Sequence, residues 1–198
     1  MAIKKCVEGH IDKDNWHERN FCMNTYKIYI MISFTHSVLG RIIKAYTKER
    51  YVHVSIITNK DAEYGYSFGR KNLHNPFIGG FVIEKYDEWF ERFPNACCRI
   101  LELEVNEKSY YEILNKISHF EKNAENYSYN ILGLFLRFFG KGFSFKNKYF
   151  CSQFVSHVLK EAHVMNFDKE DTLVTAKDFR ENSRFSIVYE GSLYLRNI

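Results

Sequence analysis

Residues 26–34 (YKIYIMISF) constrain this chain more than any other segment. Nearly all are β-branched, aromatic or otherwise apolar, and Lys27 is the only charge, so the segment reads as a buried strand. Further strand-forming runs follow at 52–58 and 63–68, joined by the polar turn at 59–62 as a hairpin, and then at 81–84 and 99–105. Thr35 or Ser37 caps a helix running through Tyr46, with Val38, Leu39, Ile42, Ile43 and Tyr46 as its apolar face. Helical spacing recurs at 107–121, at 132–139 and most cleanly at 150–162, where Phe154, Val155, Val158, Leu159 and Ala162 follow Cys151 in steps of three and four. Two short β segments, 185–189 and 193–195, flank a turn at Glu190-Gly191. So many strands with few helices between them predict an α+β fold. Its antiparallel sheet of five or six strands packs against the 107–121 and 150–162 helices.

The 198 residues, 45% hydrophobic with two prolines, fit one globular domain, expected over 25–198. Residues 1–24 are polar, lack an apolar period and are expected to form an N-terminal extension. The net charge of +4 is spread along the chain, which argues against a nucleic-acid partner. The strongly apolar run 26–34 is too short to span a bilayer, and residues 1–6 lack the apolar centre of a secretory signal, so the chain is expected to be cytoplasmic without a transmembrane segment. Five irregularly placed cysteines, Cys97 and Cys98 adjacent among them, are expected to be reduced thiols. Cys6, His10, His17 and Cys22 are zinc-type residues, but their spacings of four, seven and five match no familiar finger; no metal and no cofactor is expected. Oligomeric state is not encoded in any pattern here.

The reactive candidate is Cys151. At a helix N-terminus its sulfur faces unpaired backbone N–H groups and the positive end of the macrodipole, which favours thiolate. The plainer reading is a buried thiol that continues the apolar stripe of its own helix. A thiolate nucleophile needs an imidazole, and His53, opening the 52–58 strand, is the foremost of eight histidines. His157, six residues after Cys151, lies about 9 Å along the helix and is turned by roughly 240°. His36, at the start of the first helix, ranks behind His53.

The strand YVHVSI (51–56), its hairpin partner and a distant helix beginning YFCSQFV (149–155) resemble, in this order, the circularly permuted papain-like cysteine hydrolases. These are the YiiX-like permuted branch of the NlpC-type peptidase superfamily. The resemblance covers about 26–194, and the YSFGR segment (66–70) and the 75–81 loop are similar to a subgroup of it. It implies a permuted papain-like fold in which the sheet packs against the nucleophile helix, a thiolate on Cys151, an imidazole on His53, and a third polar residue on the following strand that orients the ring. With the hairpin turn centred near Lys60, Ser67 faces His53, or Phe68 if the turn is one residue longer; Tyr66 and Glu63 stand behind Ser67, Glu63 roughly 15 Å away along the strand. Glu84 is a polar group that can be borrowed from elsewhere in the cleft. The oxyanion would be held by the Cys151 backbone N–H, with Tyr149 or Tyr29 as a side-chain donor. The implied activity is that of a thiol hydrolase of amidase or peptidase type, passing through a thioester on a small-molecule, peptide or lipid substrate. A lipid acyltransferase of the same superfamily and a binding module that has lost catalysis are the alternatives.

Overall fold

The structure is a computed structural model that describes residues 3–4, 24–59, 61, 63–71, 78–140 and 142–193. Its elements run β1 (Ile3–Lys4), β2 (Asn24–Phe34), α1 (Val38–Thr47), β3 (His53–Ile57), β4 (Tyr64–Arg70), β5 (Gly79–Lys85), α2 (Tyr86–Arg92), β6 (Cys97–Asn106), α3 (Glu107–Lys122), β7 (Ser128–Tyr129), α4 (Ile131–Leu136), β8 (Lys148–Tyr149), α5 (Cys151–Glu161), α6 (Ala176–Glu181) and β9 (Ser186–Ser192). The class is α+β. Six strands form an antiparallel sheet in the order β5-β4-β3-β2-β6-β9, and β1 pairs with the first residues of β2.

The run 26–34 lies within β2, the strand about which the rest is arranged. It pairs with β6 from Thr25 opposite Asn106 to Phe34 opposite Cys97, and with β3 from Tyr29 opposite Ile57 to Ser33 opposite His53. Alternation sends Ile28, Ile30 and Ile32 into the main core with Phe154, Val155, Val158 and Leu159 of α5, while Met31 joins a second cluster with Ile57, Tyr86, Cys98 and Ile100. A strand covered on both faces explains its nearly unbroken apolar composition. On α5 the expected stripe is buried in full, Cys151 included. Gln153 closes the start of this helix by accepting the Phe150 N–H on its side-chain oxygen at 3.4 Å.

The aromatic residues around Trp89 form the helix α2. Two expectations are corrected. No turn falls at Glu190-Gly191: β9 continues through both, pairing with Arg99 and Cys98, and the Glu190 carboxylate binds the Arg99 guanidinium at 2.7 Å, while the expected 193–195 segment lies, beyond Leu193, outside the described residues. The ten-residue β6 offers ladder partners across the whole segment, and these outweigh the turn preference of a Glu-Gly pair. Ser37 caps α1, its hydroxyl accepting the Gly40 N–H at 3.2 Å, but the helix buries only part of its apolar face. Ile43 is buried, whereas Val38, Ile42 and Tyr46 face solvent. Most of the expected extension, with Cys6, His10, His17 and Cys22, lies outside the described residues, although Ile3 and Lys4 join the sheet.

The division of α5 and α1 into packed and exposed positions is measurable. Phe154→Ala empties a fully buried site, and urea denaturation is expected to show a loss of about 3–5 kcal/mol. Val38→Ala is expected to change stability by less than about 0.5 kcal/mol.

Candidate active site

Three distant parts of the chain meet at one end of the sheet. The first residue of β3 supplies His53, the penultimate residue of β5 supplies Glu84, and the first turn of α5 supplies Cys151. All three line one cavity of about 370 Å³, within the size range of small-molecule sites. His53 Nε2 lies 2.6 Å from Glu84 Oε1. That leaves Nδ1 as the ring nitrogen for Cys151, whose sulfur is near enough to the imidazole and to the Val54 backbone N–H for both to lower its pKa.

The hairpin register sets this partnership. Ile56 pairs with Tyr66, two residues beyond the position expected from a turn centred at Lys60. Ser67 therefore does not orient the ring: it is fully buried, and its hydroxyl donates to the Val54 carbonyl at 2.7 Å. On the next strand Glu84 sits opposite Gly65. A Cβ at Gly65 would stand 2.0 Å from the Tyr86 hydroxyl oxygen, so glycine makes room for the ring that begins α2. Tyr86 in turn contacts the Ser55 hydroxyl at 3.3 Å, and Trp89, one turn further along α2, packs 5.5 Å from the His53 ring centroid. The imidazole is thereby held from one side by an aromatic wall and from the other by a carboxylate.

Glu84 is only 1% exposed, and its Oε2 has no hydrogen-bond partner among the described residues. A carboxylate so buried needs a compensating charge close by, and His53 provides it. Burial opposes a charged imidazole, but the Glu84 carboxylate and the Cys151 sulfur outweigh it and raise the His53 pKa well above 6.5. Burial likewise pushes the Cys151 thiol up. The charge and hydrogen bond of His53, the Val54 N–H and the Arg137 guanidinium reverse this and hold it below its usual 9.0. The other buried thiol, Cys98, is pushed up to about 12 by burial and the neighbouring Cys97. Cys151 thus differs from Cys98 through its neighbours, not through its burial.

Two groups at the sulfur were not singled out from the sequence. Tyr129 is half-buried, and desolvation together with the Cys151 sulfur beside it raises its pKa well above 10. It reaches the site through a two-residue parallel pairing of β7 with β8, Ser128 opposite Lys148 and Tyr129 opposite Tyr149, too short to leave a period in the sequence. Arg137 lies over the Phe150 ring at 4.7 Å and donates to the Val174 carbonyl at 3.0 Å, placing a guanidinium beside the first turn of α5. The YSYN tetrapeptide before α4 and the arginine that ends that apolar helix are the signals the sequence carries for them.

The remaining candidates lie elsewhere. Tyr149 belongs to an aromatic cluster, 5.2 Å from Phe68 and 5.3 Å from Phe120, and does not line the cavity. Tyr66 packs on Phe81 at 6.1 Å, Tyr29 packs in the second cluster, and Glu63 is exposed beside the hairpin turn. His157 faces Asp171 at 3.8 Å, and His36 packs against Phe34. No group of three or more metal-ligating side chains occurs among the described residues. No family model, curated protein or solved structure matches the chain.

The fold favours the imidazolium of His53, so that contribution to stability is present below the unfolded value near 6.5 and is lost as pH rises through the raised folded one. It favours the thiolate of Cys151, whose contribution is present above the unfolded thiol value and is lost as pH falls through the lowered folded one. Between the two folded values both groups are charged. Glu84→Gln removes the charge that sustains His53, and the acid limb of Cys151 alkylation is expected to move to higher pH by about one unit. His53→Ala leaves the Glu84 carboxylate buried and unpaired and is expected to lower stability by about 3 kcal/mol. Restoration of most of that loss in the His53→Ala, Glu84→Gln double variant, measured by denaturation, identifies the unpaired charge as its cause.

Proposed function

We propose that the protein is a cysteine-dependent hydrolase of the permuted papain-like type, acting on an amide or ester. The observation that carries this reading is the continuous chain from Glu84 through the His53 ring to the Cys151 sulfur at the open end of a helix. A buried structural thiol does not require an imidazole bonded to a buried carboxylate. The order of His strand before Cys helix and the likeness of YVHVSI and YFCSQFV to that branch support the same reading.

In the proposed reaction the Cys151 thiolate attacks the carbonyl carbon, forming a C–S bond. The negative charge moves to the carbonyl oxygen, where the backbone N–H of Cys151 and the Tyr129 hydroxyl are the donors at hand. Burial keeps Tyr129 protonated and so able to donate. His53 gives its proton to the departing amine or alcohol as the C–N or C–O bond breaks, leaving a thioester. The neutral ring then takes a proton from water, whose oxygen attacks the thioester; the acid leaves and the thiolate–imidazolium pair is restored. Glu84 holds Nε2 throughout and stabilises the ring whenever it is charged. Leu39, Ile43 and Val52 give the cavity an apolar wall, which supports acyl transfer to a lipid acceptor as the second reading.

Iodoacetamide near pH 6 is expected to modify Cys151 before Cys97 or Cys98, located by peptide mass analysis. Cys151→Ala is expected to lower hydrolysis of an activated ester such as p-nitrophenyl acetate by about a hundredfold or more while the fold persists. Equal labelling of the thiols, or undiminished hydrolysis by Cys151→Ala, would return the chain to the class of binding modules.

A further inference from the structure

Beside the cavity, α1 and α4 expose large apolar side chains in stretches of sequence without acidic residues. Helices α1 and α4 meet on a small buried cluster of Ile43, Leu134 and Phe150, and each turns a second apolar stripe outward. On α1, Val38 is 72% and Ile42 47% exposed; on α4 and the turn after it, Leu132 is 59% and Phe139 79% exposed. Large side chains in such numbers beside one cavity exceed the scattered exposure normal for a surface. α1 also lines the cavity, through Leu39, Gly40 and Ile43, so its outward stripe borders the opening that leads to Cys151.

Along the sequence, these helices and their flanking residues carry charge of one sign. Residues 35–48 and 131–148 contain seven Lys and Arg and no Asp or Glu, although the whole chain carries 28 of the first kind and 24 of the second. Arg41, Lys48, Lys146 and Lys148 are exposed, and none of them pairs with a carboxylate among the described residues. Two carboxylates border these segments: Glu49 is bound by Arg180 at 2.7 Å, and the exposed Glu170, beside Gly142, accepts from the Thr172 hydroxyl at 3.2 Å.

We infer that the α1–α4 face docks on the surface of an anionic lipid bilayer, with Val38, Ile42, Leu132 and Phe139 entering the headgroup boundary and the lysines and arginines meeting lipid phosphates. Outward apolar stripes bordered by cations are the pattern of helices that lie in a membrane interface. A second copy of this chain is the poorer occupant, because it would bring the same cations against these. Docking needs no chemistry at Cys151. Its consequence, that the cavity draws amphiphilic acyl substrates from the bilayer, rests on the proposed function.

The test is co-sedimentation of the full chain with vesicles of phosphatidylcholine alone and of phosphatidylcholine with a third phosphatidylglycerol. Binding is expected to the anionic vesicles, weakening as salt is raised, with little to the neutral ones. Ile42→Asp and Phe139→Asp are each expected to lower that binding about tenfold or more. Both replace exposed side chains, and an unchanged thermal midpoint would show the fold intact. Cys151→Ala is expected to bind as the parent does, so loss of hydrolysis and loss of docking are read separately. Failure to bind either vesicle overturns the proposal, as does anionic binding that neither variant weakens. A concentration-dependent dimer broken by Ile42→Asp, without vesicle binding, would assign the face to contact between copies and equally overturn it.

Discussion

Everything in this fold is built around a strand whose last five residues are buried. With Ile28, Ile30, Ile32 on one side of β2 and Met31 on the other fully buried, the sheet needs cover on both faces at once. One cover is α5 with α3; the other is the smaller cluster that includes Tyr86 at the start of α2. The first requirement presses the nucleophile helix against the sheet beside β3. The second brings α2, and with it Trp89, over the His53 ring. The apolar density of nine residues thus fixes the two walls between which the polar groups meet.

Within those walls the stability of one ion depends on another. Glu84 is almost wholly out of solvent, and His53 lies where burial disfavours a charged imidazole. The carboxylate 2.6 Å away nevertheless favours the charged ring, and the ring in turn favours the thiolate of Cys151. An arrangement of this kind contributes little to folding compared with an apolar replacement. What it does is preserve a reactive protonation state inside a mostly apolar setting. The same burial that raises the Cys98 thiol to about 12 is overcome at Cys151 because its neighbours are cationic.

Where periodicity and residue type carry the information, sequence and structure agree: the 26–34 strand, the hairpin, the 107–121 and 150–162 helices and the antiparallel α+β class can all be read from the chain. The nucleophile and imidazole candidates are brought together for the same reason, each opening a strongly patterned element. Ser67 fails because a hairpin register is decided by its turn, and a displacement of two residues keeps the face while changing the neighbour. Glu84 is visible as a polar residue in an apolar strand, but its match with His53 depends on the pairing of β5, which no local pattern specifies. Tyr129 is less legible still, since it arrives through a two-residue bridge. The α1 face was over-read: amphipathic spacing reports apolar residues on one side of a helix and says nothing of how wide the neighbour beneath them is.

The three groups at the site stand at positions 53, 84 and 151, and the last lies in a helix that reaches the sheet only after three quarters of the chain has preceded it. During synthesis from the N-terminus, β2, β3, β4 and β5 emerge long before α5 does, so a nascent or truncated chain holds His53 and Glu84 without a sulfur to activate. The lowered pKa of Cys151 arises only when a contact spanning about a hundred residues closes, and contacts of such range are slow to form. The thiolate on which the proposed function rests is therefore a property of the finished molecule, and fragments left by incomplete synthesis or proteolysis carry at most an ordinary thiol.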